Sequence, residues 1–478
     1  MSFEPTMFLA ILPQVLLLIL ALAVLIIGLL LPKEKMQNLG WITAVGMGLV
    51  MFFSLPSLPG MRVEPTWGGL IRHDWLSFVF AMLFMFGAGV TALLSMDYKN
   101  LGDRVEFYVL LIISTIGMTL MAAAADLIML YLAIETVSIP MYVMAGFVGR
   151  DDKSTEAGFK YLLFGAMTST IMLYGFSLLY GFSGTTNMAA LVDGMVAGGV
   201  NNLGAVACLL LVLVGISFKI SAAPFHFWAP DVYEGAPTPV AGLLSTASKA
   251  AGFAILMRFL MIFSPYVWMT LIAALSVVTM TLGNLIALRQ KNIKRLLAYS
   301  SIAHAGYILI GIAAASPLGL TSAVYYLLAY LMTNLAAFGV VTTFGRVSGS
   351  DDLTSYHGMS RRSPWLAMAM LVAFLSLSGM PPFAGFVAKV FIFAAAVRSE
   401  LYWLAVIGIL NSIIGLYYYL TALKYVYLYR SEGDEQPMTV SQPTKLALVL
   451  LSVGVIAVGT IFSPWFNWAM LAAQSLLF

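Results

Sequence analysis

The chain is built from apolar stretches about as long as a bilayer is thick. Met7 to Leu31 carries no charged residue, and comparable runs recur along the whole sequence. A membrane-crossing helix needs about 20 apolar residues. Hydrocarbon leaves backbone N–H and C=O groups no partner but protein, which restricts crossing elements to helices and closed barrels. A barrel would show segments of about 10 residues that alternate in polarity, whereas these runs are continuous. The sequence therefore predicts an all-α polytopic membrane protein. Composition agrees: 9% of the 478 residues are charged, against roughly 25% in soluble domains. The first run is also too long for a signal-peptide core and lacks both a preceding basic segment and a following cleavage motif, so it reads as the first helix. A net charge of +3 suggests no nucleic-acid partner. Cys208 is the single cysteine, which leaves no disulfide framework, cysteine metal site or iron–sulfur ligation.

Cutting the chain at glycines, prolines and charge clusters predicts fourteen spans, near residues 7–31, 39–56, 73–96, 105–124, 126–148, 156–181, 203–232, 238–263, 266–288, 292–314, 318–345, 364–398, 401–429 and 445–470. Connections after odd-numbered spans hold fifteen basic residues, from Lys33 and Lys35 to Arg430 and Lys445; those after even-numbered spans hold three, Arg62, Arg72 and Arg398. The positive-inside rule then makes the odd-to-even connections cytoplasmic and puts both termini outside.

Spans seven and twelve are too long, at roughly 45–50 Å against a hydrocarbon core of about 30 Å. Each holds a helix breaker in its middle: Ser221-Ala222-Ala223-Pro224-Phe225 in one, Gly379-Met380-Pro381-Pro382-Phe383 in the other. Each break has a lysine beside it, Lys219 before the first and Lys389 after the second. Broken helices at corresponding positions of two halves mark an inverted repeat with an ion site at mid-membrane. Two unrelated proline kinks are the simpler alternative.

Of the 24 basic residues, eighteen fall in connections, and Arg258 and Lys424 fall in outer turns, where snorkelling suffices. Lys160, Lys219, Lys249 and Lys389 remain inside spans. A lysine at the bilayer centre costs about 2.5–3.5 kcal/mol on insertion scales, and such residues mark ion or proton routes. Glu135 is the one acidic residue well inside a span; Asp126 starts the same helix and can cap it. An amine's proton affinity depends on burial and on the distance to a carboxylate, so Glu135 facing Lys219 would give a lysine tuned by that distance. A static salt bridge is the competing reading of the pair. His304 lies about 18 Å into the tenth span, at a depth where an imidazole can shuttle protons between fixed amines. Hydroxyls of Ser300, Ser301 and Tyr307 stand near it in sequence. His226, just past the first break, and Tyr307 are further relay candidates. His73 and His357, at or beyond helix ends, read as ordinary interface residues. The cluster Arg289 to Arg295 reads as an orientation anchor and lipid-phosphate contact.

The string Phe218-Lys219-Ile220-Ser221-Ala222-Ala223-Pro224-Phe225-His226-Phe227-Trp228-Ala229-Pro230-Asp231-Val232-Tyr233-Glu234-Gly235 closely resembles the signature of the antiporter-like subunits of respiratory complex I. So do Ser245 to Lys249, Asn292 to His304, and Leu375 to Lys389. The Asp231-Val-Tyr-Glu-Gly wording, the lysine of span twelve and the chain length look most like the N branch of bacterial NADH:quinone oxidoreductase. The M branch carries a glutamate in place of Lys389, and the L branch adds a long lateral helix. The resemblance implies two inverted five-helix repeats, at 105–263 and 266–430, between helices 1–3 at 1–104 and a final helix at 431–478. It implies that Glu135 and Lys219 form the charged pair of a first half-channel. Lys160 and Lys249 would link along a hydrated axis, with His304 on the way to Lys389 in a second half-channel. It further implies proton translocation in a bacterial inner membrane, with no cofactor on this chain; NADH, FMN, iron–sulfur clusters and quinone would belong to other subunits. The implied partners are K-like and M-like neighbours, the lateral helix of an L-like subunit, and lipid.

Two other readings remain open at this point. Subunits of multisubunit sodium/proton antiporters and membrane-bound hydrogenases share the same helices. His226 and Asp231 also have the His-x4-Asp spacing of acyltransferases, in which the aspartate orients a histidine general base.

Overall fold

The computed structural model describes residues 5–60, 65–199, 202–430 and 437–476; Arg62, counted above, lies outside them. The described chain is almost wholly helical. We label its main helices α1 (Leu12–Leu30), α2 (Leu39–Phe53), α3 (Trp75–Ser95), α4 (Val105–Ala123), α5 (Leu127–Ala145), α6 (Asp152–Ser183), α7 (Asn202–Ile220), α8 (Trp228–Gly235), α9 (Thr238–Leu260), α10 (Pro265–Ala287), α11 (Ile293–Ala313), α12 (Pro317–Ser348), α13 (Pro364–Ser378), α14 (Ala384–Arg398), α15 (Tyr402–Tyr427), α16 (Gln442–Thr460) and α17 (Phe462–Gln474). Among the described residues, thirteen helices are long and apolar enough to cross a membrane. α13 and α14, at 15 residues each, are not in that set.

Helix starts follow local chemistry. Asp74 opens α3 with a reciprocal capping box, its Oδ1 accepting from Ser77 N (2.9 Å) while Ser77 Oγ accepts from Asp74 N (3.0 Å), which satisfies two otherwise orphaned donors. Asp126 caps α5 through Ile128 N (2.8 Å), as its position suggested. Asn292 caps α11, and Ser316 caps α12 with Pro317 in the first turn.

α3, α9, α11 and α12 are buried nearly all round and form the centre; α1, α6, α10 and α15 turn apolar faces outward. Close contact between α10 and α11 depends on two glycines. A Cβ on Gly283 would meet Ala303 N at 2.6 Å and one on Gly306 would meet Met280 N at 2.5 Å, so small residues let these backbones approach.

Loops gather in two sets, as an up-and-down path requires. At one end the connections α2–α3, α4–α5 and α6–α7 pair through Ile71 with Ala124 and Asp126 with Asn187. At the other end Asn292 pairs with Asp352, Lys153 with Glu234, and Arg346 with Asp97. The basic connections lie at this second end.

The last predicted span differs. A single helix over 445–470 is expected, but α16 ends at Thr460 and α17 starts at Phe462, with Ile461 outside helical geometry (φ −107°, ψ 61°). Pro464 explains this: its ring would clash with the carbonyl four residues back, at Thr460.

Candidate functional site

Helical geometry stops between Ile220 and Trp228 and again between Ser378 and Ala384, and the structure accounts for the backbone groups that each interruption sets free. After α7, Ser221 turns left-handed (φ 56°). The carbonyls of Ser217 and Phe218 are taken by Ala222 N (2.8 Å) and by the Trp228 indole (3.1 Å). Tyr161 stacks on Trp228 at 4.5 Å, and Phe218 lies against it at 5.0 Å; this aromatic packing pins α8 to α6 and α7. After α13, Gly379 adopts φ 86°, and Leu375 O accepts from Met380 N (2.9 Å). The last two carbonyls, Leu377 and Ser378, both accept from Lys389 Nζ at 3.0 Å. An ammonium there complements the negative end of the helix dipole and satisfies terminal carbonyls that have no helical partner.

The intramembrane amines thus have distinct settings. Lys219, 6% exposed, donates to Ser138 Oγ at 2.5 Å. Glu135, one turn before Ser138 on α5, accepts instead from Ser169 Oγ on α6. The two charges expected to pair are therefore not in contact; two serines hold one each. Lys249 follows directly on a π-helical segment, Leu244–Ser248, inside α9, a local widening that is frequent at functional sites. Its amine donates to Ser301 O (2.9 Å) and Ser301 Oγ (2.7 Å). His304, one turn further along α11, bonds Tyr326 OH through Nδ1 (2.7 Å) and Tyr419 OH through Nε2 (3.1 Å). Tyr419 in turn bonds Ser300. Lys389 also donates to Ser412 Oγ (2.8 Å) and lies 5.1 Å from the centre of the Tyr307 ring. A cavity of about 10 Å³, lined by His304, Tyr326, Tyr330, Leu377 and Ala388, lies between His304 and the Lys389 turn, and is about the size of one water.

Further buried hydroxyls lie between these amines, and those of Tyr233 and Tyr330 were not singled out by sequence reading. Tyr233 on α8 and Tyr330 on α12 bring hydroxyls up to Ser301, and Tyr233 also reaches Ser221, without closing direct hydrogen bonds. Buried hydroxyls of this kind are placed to bond water. Tyr307 accepts from Asn284 Nδ2 (2.9 Å), which also donates to Asn411 Oδ1, while Asn284 Oδ1 accepts from Tyr418 OH. A tyrosine on an apolar helix reads as packing from sequence alone, so only the fold reveals Tyr233 and Tyr330, whereas Tyr307 stood out by its place three residues past His304.

Lys160 is set apart. It is a third exposed and bonded to Asp231 (2.6 Å) and Glu156 (2.7 Å), near the start of α6. Arg295 takes the other Asp231 oxygen (2.8 Å) and Glu234 (3.0 Å), while Lys294 pairs with Asp351 (2.9 Å). This corrects the lipid-anchor reading of Lys294 and Arg295: both turn inward and fasten α11 to carboxylates. Burial pushes the Glu234 carboxyl up, but hydrogen bonds from Arg295 and Lys153 outweigh it and hold Glu234 below the usual carboxylate range. Arg258 also departs from expectation. Instead of snorkelling it is 7% exposed and bonds Asp74 with both Nη atoms (2.8 and 2.6 Å). The acyltransferase reading fails on geometry: Asp231 is held by Lys160 and Arg295, and His226 Nδ1 is buried without a partner.

Comparison with known proteins decides between the remaining readings. Residues 124–415 match the family described as NADH:quinone oxidoreductase/Mrp antiporter, TM. The chain is 40% identical over 471 residues to NADH-quinone oxidoreductase subunit N of Trichlorobacter lovleyi, covering 97% of this chain and 96% of the relative. The chain belongs to the N-subunit branch of the antiporter-like family. It is also 42% identical to the N subunit of Moorella thermoacetica over 95% of this chain and 96% of that one. Among solved structures, a chain of respiratory complex I from Thermus thermophilus with bound aureothin superposes with a TM-score of 0.79 at 33% identity, covering 95% and 98% of the two chains. The Mrp complex from Dietzia sp. shares the fold, with a TM-score of 0.82 at 21% identity over 99% and 98%. As an N-branch member the chain is a multi-pass membrane subunit of an oxidoreductase complex.

Proposed function

We propose that the chain translocates protons through the band Lys219, Tyr233, Lys249, Ser301, His304 and Lys389, driven by redox chemistry in other subunits of a bacterial inner-membrane NADH:quinone oxidoreductase. The observation that carries this reading is the setting of the three buried amines. Each donates to hydroxyls or carbonyls, and among the described residues none is locked in an ion pair. An amine so held can exchange its proton with a neighbouring hydroxyl or water, whereas a permanent ion pair would fix it. Glu135 acts on Lys219 through space; rotating Ser138 and Ser169 away would let the pair close, and that change in distance is the tuning step. Lys160, with Asp231 and Arg295, serves as the connection towards the cytoplasmic end. His226, beside the first break, and Tyr307, under Lys389, are side branches of the same route.

In this reading α7 with α8, and α13 with α14, are each one interrupted crossing. That gives fourteen crossings, with inverted repeats at 105–263 and 266–430 flanked by 1–104 and 431–478. The basic loop end faces the cytoplasm and both termini face outward. K-like and M-like neighbours and the lateral helix of an L-like subunit flank the chain; NADH, FMN, iron–sulfur clusters and quinone sit elsewhere in the complex. Lys219→Ala should leave the complex assembled yet abolish or sharply reduce proton pumping. Reconstituted vesicles that pump at the wild-type proton-to-electron ratio with this variant would remove Lys219 from the route.

A further inference from the structure

Away from the proton band, a cavity of about 310 Å³ opens at the end of the bundle that holds the α2–α3, α4–α5 and α6–α7 connections. Its walls include Arg72, Arg258, Asn187, Ala189, Val192 and Ile262. Arg258 lies nine residues past Lys249 on α9, about 13 Å further along the axis. Two guanidiniums here share one carboxylate. Asp74 is fully buried and committed: it caps α3 through Ser77 N and takes both Nη atoms of Arg258, with Arg72 Nε at 3.3 Å. Among the described residues of the wall, two guanidiniums thus face one carboxylate.

Donor arithmetic points the same way. Two guanidiniums offer ten N–H groups. Arg258 uses three, on Asp74 and Ala122 O, and Arg72 uses one, on Ser475 O. Arg72 Nε faces Asp74 Oδ2 at 3.3 Å without hydrogen-bond geometry, so the pair holds Arg72 less fully than Arg258. A guanidinium that shares its carboxylate with a second one in a partly buried site favours an anion, and its planar fork fits phosphate oxygens two at a time. Val192 and Ile262 supply an apolar side where ester carbons can lie. The cavity sits at the level of the helix ends, where headgroup phosphates are found.

We propose that this cavity binds a phosphate-bearing anion, through Arg72 chiefly and Arg258 in support. The source is either an anionic phospholipid headgroup or free phosphate. The test uses the whole purified complex, stripped of loosely held lipid and titrated with phosphatidylglycerol, phosphatidylcholine or inorganic phosphate. Native mass spectrometry reads retained lipid, and thermal unfolding reads stabilisation. Arg72→Gln should bind phosphatidylglycerol about tenfold more weakly than wild type, the scale of one lost charge-assisted bond, with phosphatidylcholine unchanged. If inorganic phosphate alone stabilises wild type but not Arg72→Gln, free phosphate is the ligand. Should Arg72→Gln fail to assemble, Ala189→Trp fills the cavity while both arginines keep their identity, and it must by itself remove binding. Equal responses of wild type and variant to both phosphatidylglycerol and phosphate would overturn the proposal and leave the arginines as loop fasteners.

Discussion

At the scale of single residues, the sequence exposed the groups that are costly in lipid and concealed their partners. Lys219, Lys249 and Lys389 stand out because a charge on an apolar helix has no local explanation, and each is indeed deeply buried. What each touches is set by helices far off in sequence, so Ser138, Ser301 and Ser412 could not be assigned beforehand. Lys389 has the clearest double duty, since its amine closes the carbonyl end of α13 and belongs to the proposed route. Lys389→Arg separates these duties, because a guanidinium keeps the charge and donors but does not deprotonate in proteins. If Lys389 carries the proton, the Arg variant should assemble yet lose coupled turnover nearly as badly as Lys389→Ala. Quinone reductase rates and proton uptake measured on both variants check this, and full activity in the Arg variant would end the assignment. Glu135→Gln keeps shape and hydrogen bonding but removes the charge near Lys219. It should slow turnover, while Glu135→Asp should keep part of it; equal rates in all three proteins would favour a packing role.

Elements were legible where punctuation was dense. Prolines and glycines beside lysines fall where helical geometry stops after Ile220 and Ser378, whereas the interruption at Ile461 escaped because Pro464 stands alone in an uncharged run. The role of α8 was hidden for another reason: its first five residues, Trp228 to Val232, read as the tail of a long span. In the structure it is a short lever tied at Asp231 and Glu234 to α6 and α11. Because Glu234 is held below the usual carboxylate range, its contribution is present at neutral pH. It is lost only as pH falls through that lowered value, below the ordinary glutamate range near about 4.3. Glu234→Gln should therefore loosen α8 at neutral pH. Hydrogen exchange across 228–235 should quicken about fivefold, the equivalent of about 1 kcal/mol for a half-buried pair. No change in that segment would mean the aromatic packing of Tyr161 and Trp228 holds α8 without the charges.

For the molecule as a whole, hydropathy identified an all-helical membrane protein because bilayer length and backbone satisfaction leave few alternatives. Spatial order was not readable, since an apolar helix looks the same whether it faces lipid, as α6 does, or the bundle centre, as α9 does. The charge asymmetry of the loops carries information of a different kind: it concerns the membrane and not the fold. The structure groups the basic connections at one end, and translocation of lysine and arginine is the disfavoured step during insertion, so that end should be cytoplasmic. Asp193 and Thr354 are both exposed and lie in connections at opposite ends of the bundle, while the native Cys208 is buried. A membrane-impermeant maleimide added to spheroplasts should label Asp193→Cys at once and Thr354→Cys only after lysis. The reverse pattern would invert the molecule in the membrane and send the band from Lys219 to Lys389 in the opposite sense. Labelling of both sites in intact spheroplasts would instead put the two connections on one side, which an up-and-down path with this helix order cannot accommodate.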